Sequence, residues 1–302
     1  MRDKDIVANF FPFFTFGKIK SYIYLTKPRL LLSVIFSAVL GYILPLESAL
    51  EISSLNFLII GTALLGGGAN TLNQWQEQVQ DSKMNRTKNR PLPMGHVSSL
   101  QALVYGIIIS IAGITILWFG LNFYTSLFGI ITLLSYLLVY TPLKQKTVAN
   151  TWIGGITGAL PPVMGWIAAR GQLDFGVLPI FTLVYFWQLP HFFAIAWMHK
   201  DDYQKGGFRM ITLEDKTGEK TSMQMLINAS MLFFASLGIY IIGQGKNLYL
   251  AGASLLSVAF LFIVILFCFS RSKKNARNVF LASIIYLPAV GTLLILERIF
   301  LA

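Results

Sequence analysis

The sequence predicts an all-α membrane protein, a polytopic bundle of about nine transmembrane helices around a central cavity that opens near the cytoplasmic face. Of its 302 residues, 55% are hydrophobic and 12% are charged, a composition that excludes an ordinary soluble domain. No strand-like alternation recurs, and glycine, alanine and serine interrupt the apolar runs as they do in close-packed membrane helices. The candidate spans are 28–45, 54–74, 97–119, 122–141, 149–169, 175–197, 223–243, 247–269 and 278–297.

Residues 1–27 are predicted to form a cytoplasmic N-terminal segment, and residues 28–302 a single transmembrane domain. Asp3 and Asp5 are atypical of cleaved signals and of mitochondrial transit peptides, so we expect an uncleaved first span in a bacterial inner membrane. Among the 24 lysines and arginines, three fall on the far side of this topology. This bias predicts a cytoplasmic N-terminus.

The net charge of +11 follows mainly from that topology and favours contact with anionic membrane lipids. It gives no reason to expect nucleic-acid binding. The two long charged segments, 75–96 and 198–222, are predicted on the same side of the membrane. Because loops of this kind usually carry the binding chemistry, we expect them to meet over the shared cavity.

Asn73, at the end of the preceding span, and Glu77 and Asp81 of the first charged segment follow one another at four-residue intervals, so a continuing helix would place all three on one face. Carboxylate and amide oxygens are ligands of Mg²⁺, which keeps water or phosphate oxygens in its remaining positions. Acidic residues at a membrane boundary are costly and indicate a function. We therefore predict a magnesium site here, while solvated loop charges remain the alternative.

Basic side chains follow this acidic face directly. Lys83, Arg86 and Arg90 lie in the same loop, and Lys144 lies in a later loop on the same side of the membrane. Mg²⁺ beside lysine and arginine is a combination suited to binding a diphosphate. The positive-inside rule explains the same charges without any ligand, and both interpretations stay open.

The second charged segment follows the predicted span 175–197. His191 lies within that apolar run, and Asp201 and Asp202 follow its end. The two acids are predicted to hold a second Mg²⁺ opposite the first, which would help to neutralise a diphosphate. A helix-packing role for His191 is the alternative. Lys200, Tyr203 and Arg209 are the predicted diphosphate-binding residues of this segment.

These stretches resemble the intramembrane aromatic prenyltransferase superfamily, and within it the protoheme IX farnesyltransferases. Asn73, Glu77 and Asp81 match the first superfamily signature, with glutamate in place of the commoner aspartate at the middle position. The run from Met84 to Pro91 is similar to the pattern MxRTxxRP of that family. The segment WQLPHFFAIAW, followed by KDDY, resembles its version of the second signature. The resemblance covers about residues 20–300.

The resemblance implies a prenyltransferase that moves farnesyl from farnesyl diphosphate to a vinyl group of protoheme IX, with addition of water, giving heme O for terminal oxidase biogenesis. It implies Mg²⁺ as cofactor and catalytic roles for the acidic residues of both signatures. His191 would ligate the iron of the heme substrate, or contact a heme propionate or the diphosphate of the farnesyl donor. A heme A synthase or a terminal oxidase assembly factor would be a partner.

Three other functions fit part of the pattern. A prenyltransferase acting on a quinone precursor would share the first signature, but His191 departs from the second signature of such enzymes. A secondary transporter would carry polar residues near mid-bilayer, whereas these acids cluster at one interface. A noncatalytic assembly factor that only holds heme would not need the acidic face.

Overall fold

The computed structural model describes residues 16–46 and 50–300, and every regular element in these ranges is helical. The helices are α1 (Phe16–Leu25), α2 (Pro28–Ile43), α3 (Ile52–Gln76), α4 (Gln78–Lys83), α5 (Ser99–Gly120), α6 (Phe123–Leu134), α7 (Thr141–Leu143), α8 (Asn150–Gly158), α9 (Leu160–Arg170), α10 (Leu178–Met198), α11 (Lys200–Lys205), α12 (Ile211–Glu214), α13 (Glu219–Ile241), α14 (Asn247–Ser270) and α15 (Lys273–Phe300). A π-helical segment, Ser135–Tyr140, joins α6 to α7. The all-helical prediction is confirmed, and residues 1–15 of the predicted N-terminal segment lie outside the described ranges.

Seven helical segments within the described ranges are long and apolar enough to cross a membrane. They are Ile52–Gln76, Ser99–Gly120, Phe123–Leu143, Phe175–Met198, Glu219–Ile241, Asn247–Ser270 and Lys273–Arg298. An eighth span results if α1 and α2, which meet at an angle of 46°, cross together. The chain is therefore a multi-pass membrane protein.

The remaining predicted span, 149–169, forms two shorter helices instead of one. Its break lies at Ala159, between α8 and α9, and Pro161 and Pro162 follow at the start of α9. Proline has no amide hydrogen and fits the first turn of a helix, so this sequence favours a new helix start within the run. Seven uninterrupted spans are therefore present in the described ranges where nine were predicted, because the run 149–169 breaks at Ala159 and α1 and α2 are bent at Lys27.

Two clusters of buried apolar side chains form the interior of the bundle. One cluster joins α2, α3, α5, α6 and α9, and includes Leu58, Leu117 and Met164. The other joins α2, α9, α10, α13, α14 and α15, and includes Phe193 and Phe267. Helices α2 and α9 contribute to both clusters, so they link the first half of the bundle to the second.

Helices α2 and α9 approach each other at two glycines. A β-carbon added at Gly41 would collide with the carbonyl group of Pro162, and one at Gly165 would collide with the carbonyl oxygen of Ala38. Small residues permit such backbone contact in membrane helices, where dispersion forces hold the helices together. This contact fixes α9 against α2.

A hydrogen-bonded network ties the last three helices together. The Tyr286 hydroxyl lies 2.8 Å from Ser257 Oγ, which lies 3.3 Å from Ser236 Oγ. Glu297 accepts hydrogen bonds from the amides of Lys246 and Tyr249, each at 2.6 Å. Buried polar groups in a membrane interior need such partners. The network holds α13, α14 and α15 in register.

Candidate active site

The first signature lies where α3 ends. Asn73, Glu77 and Asp81 are buried, with 1%, 4% and 1% of their surfaces exposed. Helix α3 ends at Gln76, but the amide of Glu77 still donates to the Asn73 carbonyl and the amide of Asp81 to the Glu77 carbonyl. The register of a helix therefore continues through the break, and the predicted common face is retained.

Each member of this signature has a cationic partner from another part of the chain. Lys27 Nζ donates to Asn73 Oδ1 at 2.8 Å. Lys144 Nζ donates to both carboxylate oxygens of Glu77, at 2.9 and 3.2 Å. Arg90 donates to Asp81 Oδ2 at 2.6 Å. We call these six residues the acid–cation cluster.

The Glu77 to Lys144 pair is the most enclosed ion pair of this cluster, with side-chain exposures of 6% and 12%. Burial alone lowers the pKa of Lys144, but the facing Glu77 carboxylate raises it, and the pKa lies well above the ordinary lysine value. Lys144 therefore stays protonated throughout the physiological range. A buried carboxylate without this partner would carry a large desolvation cost.

Side chains of α3 position Lys27 at the bend between α1 and α2. Gln74 Nε2 donates to the carbonyl of Leu25 at 2.7 Å, and Asn70 Nδ2 donates to the carbonyl of Thr26 at 3.0 Å. These bonds satisfy carbonyl groups that the end of a helix leaves open. Lys27 has a φ of 52°, a left-handed conformation that is uncommon outside glycine. Backbone strain of this kind occurs where the surroundings fix a functional side chain.

The π-helical segment Ser135–Tyr140 positions Lys144. Asn73 Nδ2 donates to Thr141 Oγ1 at 3.1 Å, and Thr141 Oγ1 donates to the carbonyl of Tyr136 at 2.8 Å. Lys144 Nζ also lies 4.6 Å from the ring centre of Tyr140, in a cation–π contact. Single-turn π-helical segments are frequent at functional sites, and this one connects α6 to the acid–cation cluster.

The second charged segment reaches the first through Asp202. Its Oδ1 and Oδ2 accept hydrogen bonds from the amides of Asn85 and Arg86, each at 3.1 Å. The Arg86 guanidinium lies 5.6 Å from the ring centre of Tyr203, and donates to the Tyr203 hydroxyl at 3.4 Å. The predicted meeting of the two segments is therefore present in the structure.

Two further contacts hold the second charged segment in place. Met84, Phe208 and Met210 form a buried apolar cluster between the two charged segments. The amide of Arg209 donates to the carbonyl of Lys144 at 2.7 Å, while the Arg209 side chain is exposed. The backbone around Arg209 therefore helps to place Lys144 beside Glu77.

Besides Arg209, three predicted residues of the metal and diphosphate sites have side chains that lie apart from the acid–cation cluster. The Asp201 side chain is 81% exposed, and its Oδ2 lies 3.9 Å from Lys273 Nζ. Lys200 Nζ lies 3.3 Å from the ring centre of Trp197 and donates to the carbonyl of Asp215 at 3.3 Å. Lys83 is exposed to solvent. Their predicted roles stay predictions.

His191 lies on α10, seven residues before the helix ends at Met198, which corresponds to about 10 Å along the axis. Its Nδ1 lies 2.7 Å from Ser283 Oγ on α15. The rings of Trp187, Phe192 and Phe280 surround the imidazole, with centroids 6.0, 5.7 and 4.9 Å away. His191 thus belongs to an aromatic environment deeper than the acid–cation cluster.

The donor set of the first signature suits Mg²⁺. Two buried carboxylates and one amide oxygen are hard ligands, and Mg²⁺ needs few of them when a phosphate is present. Within the described ranges, no group of three or more histidine, cysteine, aspartate or glutamate side chains is placed to hold a metal. A site with two acids would therefore depend on Asn73 and on oxygens from the substrate.

Two residues of this region were missed by sequence reasoning. In the sequence, Lys27 is one of many basic residues on the cytoplasmic side, and its partner Asn73 is distant along the chain. Ser283 carried no signal, because a single serine in an apolar helix usually bonds to its own backbone. The proline after Lys27, which restricts its backbone, was the available clue for the first residue.

Comparison with known proteins assigns the family. Residues 34–285 match the UbiA prenyltransferase family. A relative from Solibacter usitatus, named protoheme IX farnesyltransferase, is 39% identical over 92% of this chain and 99% of its own. The chain belongs to the UbiA prenyltransferase family. A relative from Arabidopsis thaliana, named mitochondrial protoheme IX farnesyltransferase, is 34% identical over 91% of this chain and 64% of its own.

Solved structures show that the UbiA fold is shared. A digeranylgeranylglyceryl phosphate synthase superposes with a TM-score of 0.76 at 17% identity, over 93% of this chain and 98% of its own. A UbiA homologue from Archaeoglobus fulgidus, bound to GPP and Mg²⁺, superposes with a TM-score of 0.69 at 13% identity, over 91% of this chain and 99% of its own. The family predicted from the two signatures is confirmed.

Replacement of Lys144 by methionine tests the buried ion pair. The Lys144→Met variant leaves the Glu77 carboxylate buried without a counter-charge, and we expect a loss of about 3–5 kcal/mol in the free energy of unfolding. Adding Glu77→Gln to this variant should restore most of that stability. Unfolding of the detergent-solubilised protein measures both effects.

Lys146→Met, an exposed lysine two residues later, serves as the matched control and should leave stability unchanged. Equal stability of the Lys144→Met and Lys146→Met proteins would contradict the assignment. So would a double variant that is no more stable than Lys144→Met alone.

Proposed function

We propose that this protein is a protoheme IX farnesyltransferase, which transfers farnesyl from farnesyl diphosphate to a vinyl group of protoheme IX and adds water to give heme O. The observation that carries the proposal is the acid–cation cluster, a buried set of acids and cations at the end of α3. The relatives from Solibacter usitatus and Arabidopsis thaliana bear this name at more than 30% identity. They support protoheme as the acceptor.

The acid–cation cluster fits a magnesium diphosphate. Asn73, Glu77 and Asp81 would hold Mg²⁺, which when bound supplies a Lewis acid for the charge that develops on the leaving diphosphate. In the structure the same three residues accept hydrogen bonds from Lys27, Lys144 and Arg90, respectively, and the last two cations neutralise the carboxylates of Glu77 and Asp81.

Arrival of metal and substrate would free these cations to contact phosphate oxygens. Arg90 can donate two parallel hydrogen bonds to a phosphate, whereas each lysine acts as a point charge. Arg86 and Tyr203, which already contact each other above the cluster, would bind the same group. Fixed cations aimed at a departing anion lower the barrier to breaking the allylic C–O bond.

The acceptor half of the proposed site lies deeper, beside His191. An aromatic environment suits both a farnesyl chain and the faces of a macrocycle. It also stabilises positive charge on an allylic fragment through the negative faces of the rings. Imidazole is a common ligand of heme iron, and we propose that His191 contacts the iron of the heme substrate.

We also propose a second magnesium at Asp201 and Asp202. Each of these residues would have to change its contacts to bind it. Asp201 would have to turn away from Lys273, and Asp202 would have to bind metal in addition to the amides of Asn85 and Arg86. The diphosphate-binding roles of Lys83, Lys200 and Arg209 would likewise require their side chains to move toward the cluster. The first signature requires no such movement of its acids.

The proposed cellular setting is the inner membrane of a bacterium, with the N-terminus and the diphosphate end of the site in the cytoplasm. The distribution of basic residues supports this orientation. Heme O is an intermediate for terminal oxidases, so a heme A synthase or an oxidase assembly factor is the proposed recipient. The membrane lipid itself would deliver both apolar substrates.

The Asp81→Asn variant tests the metal assignment of the first signature. Because the amide is a weaker magnesium ligand, we expect heme O in cells to fall on the order of 100-fold or more, with accumulation of protoheme. Extraction and chromatography of cellular hemes gives the measurement. Glu219→Gln, an exposed acid-to-amide change, is the matched control and should leave heme O unchanged. Normal heme O production by Asp81→Asn would refute the assignment.

The Asp202→Asn variant separates the two roles of that residue. Both carboxylate oxygens already accept backbone amides, so we expect a higher KM for farnesyl diphosphate, by about tenfold, from a loosened loop. Because Asp202 is also proposed to hold the second Mg²⁺, the Mg²⁺ concentration for half-maximal rate should rise as well. Steady-state rates of the purified protein at varied Mg²⁺ decide the question. An unchanged Mg²⁺ requirement would remove Asp202 from the metal site and leave only its role in holding the loop.

A further inference from the structure

The hydroxyl of Ser283 lies between two helices and has two polar neighbours. Its Oγ lies 2.6 Å from the carbonyl oxygen of Phe280 and 2.7 Å from His191 Nδ1. Ser283 is completely buried. Both contacts are short enough to be hydrogen bonds, so the single hydroxyl proton must be assigned to one of them.

The chemistry of the two neighbours settles this assignment. A carbonyl oxygen can only accept a hydrogen bond, so the Ser283 hydroxyl must donate its proton to Phe280. The bond to His191 then needs a proton from the imidazole, and Nδ1 must be the donor. In a neutral imidazole the other nitrogen, Nε2, carries no proton. This arrangement selects the Nδ1–H tautomer of His191.

A second hydrogen bond fixes this geometry. Trp187 lies one turn before His191 on α10, and its Nε1 donates to the carbonyl of Ser283 at 2.7 Å. The indole of Trp187 also stacks on the imidazole, with centroids 6.0 Å apart. Two side chains of α10, Trp187 and His191, therefore form hydrogen bonds with Ser283. The imidazole lies between the rings of Trp187 and Phe280.

The Nε2 atom has no hydrogen-bond donor among the described residues around it. The imidazole ring itself is in contact with the rings of Phe192 and Phe280, which supply no proton to a nitrogen lone pair. A fixed lone pair in an aromatic environment is suited to a Lewis acid, and imidazole nitrogen is a preferred ligand of iron. A hydrogen bond from the second ring nitrogen is the usual way in which proteins orient such a ligand.

We propose that Ser283 is a positioning residue that holds His191 in the Nδ1–H tautomer and so presents the Nε2 lone pair to the iron of the acceptor. The identity of the iron rests on the proposed function, because protoheme is the acceptor proposed there. An axial bond to the iron would fix the plane of the macrocycle. The vinyl groups at its edge would then stay at a constant depth below the diphosphate.

Nitrogen NMR of the protein labelled with ¹⁵N-histidine tests the tautomer without any substrate. The chain has three histidines, so the spectrum is simple, and the His191→Gln variant identifies the signals of His191. We expect a protonated Nδ1 and an unprotonated Nε2 in the unmodified protein. The Ser283→Thr variant keeps the hydroxyl and should keep this pattern.

The Ser283→Ala variant removes the acceptor, and the ring should shift toward the Nε2–H form that free imidazole side chains prefer. A protonated Nε2 in the unmodified protein would overturn the proposal, whether or not the alanine variant folds. Unchanged ring signals in a folded Ser283→Ala protein would overturn it as well.

Titration with protoheme tests the iron separately. We expect a nitrogen-ligated absorption spectrum that is lost in His191→Gln, and protoheme binding at least tenfold weaker in Ser283→Ala than in Ser283→Thr. An unchanged spectrum in His191→Gln would remove the iron from the proposal while leaving the tautomer result intact. Loss of the proposed activity with normal iron ligation would instead place the failure in the transfer step.

Discussion

A carboxylate buried at the edge of a membrane needs a counter-charge, and this requirement organises the site. Glu77 and Asp81 are almost fully enclosed, and the cations that neutralise them come from separate loops. Lys144 follows the third full span, while Arg90 lies in the loop after α4. The counter-charges reach the acids only when these segments come together, so the fold of the bundle and the charge balance of the site depend on each other.

The second half of the bundle joins this arrangement through hydrogen bonds and apolar contacts. Asp202 binds the backbone of the basic loop, and Phe208 and Met210 pack against Met84. Below this level the polar side chains give way to the aromatic surroundings of His191. The sequence of environments, from paired charges to aromatic rings, matches a substrate with a diphosphate at one end and an apolar chain at the other.

Sequence reasoning located the first signature because helical spacing is a local property. The i to i+4 spacing of Asn73, Glu77 and Asp81 survived even though the helix breaks at Glu77. The sequence did not distinguish Asp201 from Asp202. Neighbouring residues on a helical turn point in different directions, and only the structure shows which of the two is buried. Lys27 and Ser283 were missed because their partners are remote in the chain. The broken run 149–169 was predicted as one span because hydropathy does not register where a helix restarts.

In the proposed reaction, Asn73, Glu77 and Asp81 exchange their cations for a metal and a diphosphate. Crystals grown with Mn²⁺ in place of Mg²⁺ and a non-hydrolysable farnesyl diphosphate analogue would show this exchange, since Mn²⁺ is located by its anomalous scattering. We expect an anomalous peak among Asn73, Glu77 and Asp81, with Lys144 and Arg90 on phosphate oxygens. A peak elsewhere, or Lys144 and Arg90 still bound to Glu77 and Asp81 with the analogue present, would contradict it.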